Sequence, residues 1–300
     1  MVDPVLKWAG GKRQLLDELY ARFPAEYGEF HEPMFGGGAV FFDLEPVGGT
    51  INDTNPRLAN FYREVRDNPR EMIEMLESFQ GPETEAEPER EFSDVDRKGK
   101  EIGSYYYQQR ALFNRRPNDE PFDETVEAAL LLYLNRTCYN GLYRENRSGG
   151  FNVPIGRYSN PDWVRRNEVR EASEVLDDVE ILNRDFSYIL EYADEGDLVY
   201  FDPPFEPLSP TANFTDYSAE GFGKEDQERL VEVAEKLDEN GVYVILSNSG
   251  VTYGMYDDAG FYVETEGATR AINSDEENRG EVDEIVATNV SKEERVATGL

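Results

Sequence analysis

Among 300 residues there is one cysteine, Cys138, and one histidine, His31. A lone cysteine excludes an internal disulfide and fits a reducing cytoplasm. Cys138 reads as a small buried apolar residue. With a single histidine beside it, the usual zinc sites lack ligands, so no metal is expected, and His31 reads as a strand-edge residue. No apolar run approaches the length of a membrane span, and residues 1–10 do not read as a secretory signal. No membrane partner is expected, and the expected location is the cytoplasm.

Positive charge is also scarce. Thirty Lys and Arg face 63 Asp and Glu, for a net charge of −33. Such a balance normally argues against a polyanionic partner. Aromatic residues at 12% exclude an acidic disordered chain. The excess acid reads as the solvated surface of a halophilic protein from a salt-loaded cytoplasm. The local balance differs: residues 136–170 carry seven arginines (Arg136, Arg144, Arg147, Arg157, Arg165, Arg166, Arg170) against Glu145, Asp162 and Glu168. The start of the chain, with Lys7, Lys12 and Arg13, is basic too.

The length allows one large α/β domain, or one domain with an inserted lobe. The most telling stretch runs from Gly196 to Phe205. Leu198 to Phe201 reads as a buried parallel strand. It leads directly into Asp202-Pro203-Pro204-Phe205, where each proline removes a backbone donor and disfavours helix before it. The result is a rigid tip at the carboxyl end of a strand, where open α/β sheets hold ligands. One carboxylate, open carbonyls and one aromatic face suit an exocyclic amine on a flat base.

Upstream, Lys7-Trp8-Ala9-Gly10-Gly11-Lys12 precedes a helical pattern. A phosphate loop fails here, because Leu6 stands where its first glycine belongs and Arg13 replaces Ser or Thr. The remaining reading is a glycine turn close to a ligand, with Trp8 as a flat wall and Lys12 facing a carboxylate. A strand over Phe30 to Met34 then leads into Phe35-Gly36-Gly37-Gly38 and a helix from Ala39 to Leu44. This is nucleotide-site geometry without the third glycine of a dinucleotide fingerprint. Asp53, ending the next strand, is placed for a ribose diol, and the pair fits any adenosine cofactor. Asn55-Pro56 caps and opens a helix. Further helices are expected over 70–79, 104–116, 123–136, 161–176 and 224–239. Strands are expected over 179–182 and 242–246, with a closing antiparallel pair at 261–264 and 282–289. Residues 81–103 read as a mobile acidic insertion, Pro207–Tyr217 as a lid, and the tail from Ser291 as frayed.

Between these lies Arg136-Thr137-Cys138-Tyr139-Asn140-Gly141-Leu142-Tyr143-Arg144, then Phe151-Asn152-Val153-Pro154. Asn140-Gly141 and Gly149-Gly150 mark turns, the second closing a hairpin. Arginines interleaved with tyrosines suit nucleic acid, Arg for guanine or phosphate and Tyr for stacking or wedging.

In this order, the motifs from Lys7 to Lys12, Phe35 to Phe41, Asp53 to Asn55, Tyr139 to Arg144, Phe151 to Pro154 and Asp202 to Phe205 resemble those of Dam-type DNA adenine-N6 methyltransferases, the D12 class. The likeness covers residues 5–290 apart from the acidic insertion. It implies the S-adenosylmethionine-dependent methyltransferase fold, an α/β architecture with a seven-stranded, mostly parallel sheet. A helical DNA-recognition lobe with a hairpin is inserted. The expected division is a cofactor-binding catalytic domain over 1–55 and 161–300, and a target-recognition domain over 56–160. By the same resemblance, Trp8, Lys12, Phe35, Gly36, Gly37, Gly38, Asp53 and Asp202 surround S-adenosylmethionine. Asp202, Pro203, Pro204 and Phe205 form the catalytic tip, and the flipped adenine stacks on Phe205. Lys7, Leu142, Arg144 and Pro154 read a GATC site in double-stranded DNA while Tyr139 wedges into the duplex, with Arg136 and Asn140 alongside. Phe205 departs from the commoner tyrosine of the family, and the acidic insertion is foreign to its pattern.

The expected chemistry is direct methyl transfer to N6, with Asp202 and the Pro203 carbonyl holding the amine. A monomer is expected, with a cognate restriction nuclease as a candidate partner. The competing readings are a cytosine-N4 or RNA base methyltransferase, and a non-catalytic regulator that binds S-adenosylmethionine and DNA. A nicotinamide dehydrogenase is disfavoured by the missing glycine.

Overall fold

The computed structural model describes residues 2–85, 104–115, 123–146, 148–204, 222–268 and 282–296. Phe205, the expected lid at Pro207–Tyr217 and most of the acidic insertion lie outside the described residues. The chain forms two compact units. One holds residues 1–10 and 55–177, and the other holds 11–54 and nearly all that follows 178.

The first unit is helical, with helices at Pro56–Asp67, Pro69–Ser78, Tyr105–Arg115, Glu124–Thr137 and Arg166–Leu176. Asn55 caps the first of them by accepting from the Arg57 amide, with Pro56 in its first turn. Glu124–Thr137 is the central helix. Ala128 to Leu134 are buried all round, as a helix enclosed by others requires. Tyr133 on this helix meets Phe79, Tyr105 and Trp163 edge-on at 5.3, 5.9 and 5.6 Å.

This unit is larger than the expected lobe at 56–160. Trp163 Nε1 donates to the Leu76 carbonyl at 3.0 Å, and Ser173 Oγ donates to that of Arg66 at 3.1 Å. These bonds tie 161–177 to the helices before it. The start of the chain joins through Lys7, whose amide donates to Asn135 Oδ1 while Asn135 Nδ2 donates back to the Lys7 carbonyl, both at 2.8 Å.

The second unit is built on a seven-stranded sheet. Its strands are β1 (Phe30–Glu32), β2 (Thr50–Asn52), β3 (Glu180–Leu182), β4 (Leu198–Phe201), β5 (Tyr243–Ser249), β6 (Tyr262–Ala268) and β7 (Val282–Thr288). Their order is β3-β2-β1-β4-β5-β7-β6, parallel except for β7, which runs antiparallel to both neighbours. β4 is apolar and buried at all four positions, as a strand of a sheet covered on both faces demands. Helix Lys224–Glu239 buries Leu230, Val233, Ala234 and Leu237 in a core shared with Val199, Phe201, Val244 and Leu246.

The chain runs from β1 outward through β2 to β3, then returns to β4 on the other side of β1. The strand order therefore reverses between β1 and β4, and the carboxyl ends of these strands flank the ligand crevice of such sheets.

Three local expectations give way in this unit. His31 does not sit at a sheet edge: it is buried in the interior strand β1, with Nδ1 3.0 Å from Thr50 Oγ1 and Nε2 3.3 Å from Asp197 Oδ2. The tail is not frayed at Ser291. The Val296 amide donates to the Phe23 carbonyl at 3.0 Å, and Arg295 pairs with Glu264 at 2.9 Å. A short helix at Tyr253–Asp258, absent from the sequence reading, buries Tyr256 against Phe261. Among the described residues no helix is long and apolar enough to cross a membrane.

Candidate active site

β4 delivers Asp202 to the reversal point, and the tip is held from behind. Pro203 is buried and Pro204 half-buried. Gln227, fully buried on helix Lys224–Glu239, donates to the Pro204 carbonyl at 3.3 Å. Asn248 Nδ2 in turn donates to Gln227 Oε1 at 2.9 Å and to the Tyr256 hydroxyl at 3.1 Å. A glutamine amide thus occupies the second proline carbonyl, and the Asp202 side chain stays about a quarter exposed, at 25%.

Two donors converge on one oxygen of Asp202. Lys12 Nζ lies 3.1 Å from Oδ1, and Ser247 Oγ donates to the same Oδ1 at 3.1 Å. Ser247 is itself 2.8 Å from the Tyr200 hydroxyl. Among the described residues no side chain donates to Oδ2. Lys12, 4% exposed, also meets Glu284 Oε1 at 2.5 Å. Burial pulls the Lys12 ammonium down, but Asp202 and Glu284 together hold it above its ordinary value, so it stays charged. Burial pushes the Asp202 carboxyl up; Lys12 opposes the shift and Glu284 adds to it.

Glu32, at the carboxyl end of β1, is a further acid in this region. Burial and the neighbouring Asp202 charge push it well above the carboxylate range, against one hydrogen bond from the Phe41 backbone. Its Oε2 is buried without a partner. A neutral acid is the form such surroundings favour.

The glycine turn follows β1. Gly36 and Gly38 take φ of +50° and +64°, which L side chains rarely adopt. A Cβ on Gly38 would collide with the Phe35 ring, so the ring lies against bare backbone. Asp53, half-exposed just beyond β2, accepts from the Gly36 amide at 3.0 Å, and the Asn183 side chain donates to its carbonyl at 2.7 Å. The turn, the phenyl ring and the carboxylate beside it fit an adenosine group, since backbone can approach closely and the acid is fixed for a diol.

The other expected residues belong to the helical unit. Trp8 stacks on Tyr143 at 5.4 Å. Gly141, at φ +67°, has Lys7 packed on it: a Cβ there would meet Lys7 Cδ at 2.5 Å. Lys7 Nζ reaches the Tyr158 hydroxyl at 3.4 Å, and burial with nearby Arg136 lowers its pKa. The hairpin forms, with Glu145 bridging Phe151 and the Asn152 amide donating to the Arg144 carbonyl at 3.0 Å. Tyr139, 43% exposed, has its amide held by the Pro154 carbonyl at 2.9 Å. Arg144 is exposed and aimed by Asn152, whose Oδ1 accepts from its Nε at 2.6 Å. Asn140 and Pro154 are exposed, and Leu142 and Arg136 are half-buried.

Sequence reasoning missed Glu284, Ser247, Gln227 and Glu32 as site residues. Ser247-Asn248 carried a signal, being a polar pair at the carboxyl end of an apolar strand. Glu284 is an acid at an inward position of β7. Nothing local marks Gln227 on its helix.

The chain matches the model of the D12 class N6 adenine-specific DNA methyltransferases over residues 8–288. It is 39% identical over 290 residues to the type II methyltransferase M1.LlaDCHI of Lactococcus lactis subsp. cremoris, covering 95% of each chain. It is 40% identical over 257 residues to the type II methyltransferase M.MjaIII of Methanocaldococcus jannaschii, covering 83% of this chain and 84% of the relative. To the DNA adenine methylase of Escherichia coli K12 it is 35% identical over 285 residues, covering 94% and 93%. With the match spanning both units, the chain belongs to the D12 class of N6 adenine-specific DNA methyltransferases.

Proposed function

We propose that this enzyme methylates N6 of a flipped adenine within GATC in double-stranded DNA, using S-adenosylmethionine. The observation that carries the reading is Asp202, anchored through Oδ1 by Lys12 and Ser247 at the strand-order reversal, with no described side chain donating to Oδ2. Oδ2 and the Pro203 carbonyl accept the two N6 hydrogens and favour a bent amine whose lone pair faces away from the base plane. When bound, S-adenosylmethionine would supply an electrophilic methyl to the N6 lone pair, with its sulfur as the leaving group. N6 is then positively charged until it sheds a proton to solvent, and the Asp202 carboxylate faces that charge. Orientation and charge stabilisation supply the rate.

Phe35, Gly36, Gly37, Gly38 and Asp53 hold the adenosine and Lys12 fixes Asp202; Trp8 is assigned to the cofactor by its motif, Lys7 to Lys12, alone. Phe205 follows the tip in sequence and offers the stacking face. The hairpin supports the target reading: Arg144 is exposed with its Nε held by Asn152, Tyr139 is exposed, and Lys7, Leu142 and Pro154 are assigned to the recognition set with Arg136 and Asn140. The type II names of two relatives support pairing with a restriction nuclease.

The test is transfer of labelled methyl to a GATC duplex and a scrambled one in molar KCl. Label on N6 of the GATC duplex alone is expected. Label on both refutes the recognition set and keeps the chemistry, whereas label on neither, with S-adenosylmethionine bound, refutes the reading.

A further inference from the structure

We propose that Glu284 is a positioning residue for methyl transfer: it takes up the charge of Lys12, so that Lys12 anchors Asp202 without neutralising the site that faces the amine. This rests on the assignment of Asp202 as the amine's acceptor.

Glu284 lies on β7 directly opposite Ser249 of β5. Paired residues share a sheet face and alternate residues of a strand share one too, so Glu284, Ser249 and Ser247 project to the same side. From there Glu284 Oε1 reaches Lys12 Nζ at 2.5 Å, closer than the 3.1 Å between Lys12 and Asp202. Of its two acids, Lys12 thus lies nearer to Glu284. Glu284 is 7% exposed, and a buried carboxylate is costly unless paired.

Among the described residues, the charges set against Asp202 are those of Lys12 and Glu284. Lys12 carries +1 from the turn before helix Leu16–Tyr20, and Glu284 carries −1 from β7. Burial and the Asp202 charge raise Glu32 on β1 well above its ordinary value, which favours its neutral form, and the Tyr200 hydroxyl of β4 meets Ser247, which donates to Asp202. Lys12, Asp202 and Glu284 therefore sum to −1. That charge is present before reaction and opposes the +1 that grows on N6, which is preorganised stabilisation. A Lys12–Asp202 pair alone would sum to zero.

The experiment compares Glu284→Gln, Lys12→Met and Asp202→Asn with the wild type on a GATC duplex, as single-turnover rates against pH, with binding of S-adenosylmethionine and DNA measured separately. Glu284→Gln is expected to slow transfer by about 10-fold or more, less than the roughly 10²–10³ of losing a direct contact, with both affinities unchanged. It also removes a like charge from beside Asp202, so the acid limb moves to lower pH. Lys12→Met removes an opposite charge, so its limb moves to higher pH.

Unchanged rate and limb in Glu284→Gln, with Asp202→Asn inactive, overturn the role of Glu284 alone. A slower rate with an unmoved limb makes it a mere strut and overturns the role as well. Normal turnover in Asp202→Asn overturns the assignment beneath. Should Glu284→Gln fail to fold, Lys12→Met/Glu284→Gln buries no lone charge and is compared with Lys12→Met. The proposal then requires the double variant to have the lower acid limb, and equal limbs overturn it.

Discussion

Replacing Lys12 with methionine keeps the bulk of the side chain and removes the ammonium between two acids. In the wild type that ammonium is 4% exposed, 2.5 Å from Glu284 and 3.1 Å from Asp202. Without it, two carboxylates face each other with their shared counter-charge gone. Breaking a buried pair in this way costs about 3–5 kcal/mol. At roughly 2–4 °C per kcal/mol for a large domain, the melting temperature should fall on the order of 10 °C.

The pH dependence follows from the directions of the shifts. The Lys12 value is raised in the folded state. Its contribution is complete below the ordinary lysine value of about 10.4 and is lost only as pH climbs through the raised one. The deficit of the variant should therefore be full at neutral pH. It should shrink on acidification as Asp202 takes up its proton, beginning above the ordinary aspartate value of about 3.9, because the Asp202 value is raised. Molar KCl should leave the deficit largely intact, since salt screens buried pairs weakly. The assay is urea unfolding followed by circular dichroism in KCl, from acid to neutral pH. A deficit under about 1 kcal/mol, or one flat with pH, would falsify the buried-pair account.

Arg144→Ala should cost about 1–3 kcal/mol of discrimination at one base pair and little basal transfer; equal losses on cognate and altered duplexes would contradict a reading role. Glu32→Gln keeps the shape of an acid whose value burial raises. Because the folded value is raised, the unfolded chain ionises first, and wild-type stability falls as pH rises above about 4.3; the variant should show a flatter urea-midpoint profile over that range, and an unchanged slope would exclude Glu32 as its source. Gln227→Leu frees the Pro204 carbonyl and leaves Asn248 short of a partner. It should lower the single-turnover rate while leaving DNA affinity alone, and a wild-type rate would show that the tip needs no such support.

Local chemistry already marked much of this protein in the sequence. Asn55-Pro56 opens its helix because a side-chain acceptor and a missing amide suit that end alone, and the Phe35–Gly38 turn is legible because only glycine takes its backbone angles without strain. Asp202-Pro203-Pro204 announces a stiff tip after an apolar strand. These signals act over a few residues, so a sequence can state them. The helix at Tyr253–Asp258 was not legible, being too short to show a period, and the tail past Ser291 is ordered only by bonds to Phe23 and Glu264.

The electrostatics of the site belong to tertiary structure alone. Lys12 and Glu284 stand 272 residues apart, and they meet because β7 enters the sheet antiparallel beside β5 and brings Glu284 level with Ser249. Burial and charge then turn those placements into energy: the two acids hold Lys12 charged against its burial, and burial raises both Glu32 and Asp202. The sequence by itself determined which groups this enzyme has to work with. Only the fold decided which charges meet, because Coulomb interactions and desolvation depend on distance and exposure in space, and separation along the chain carries neither.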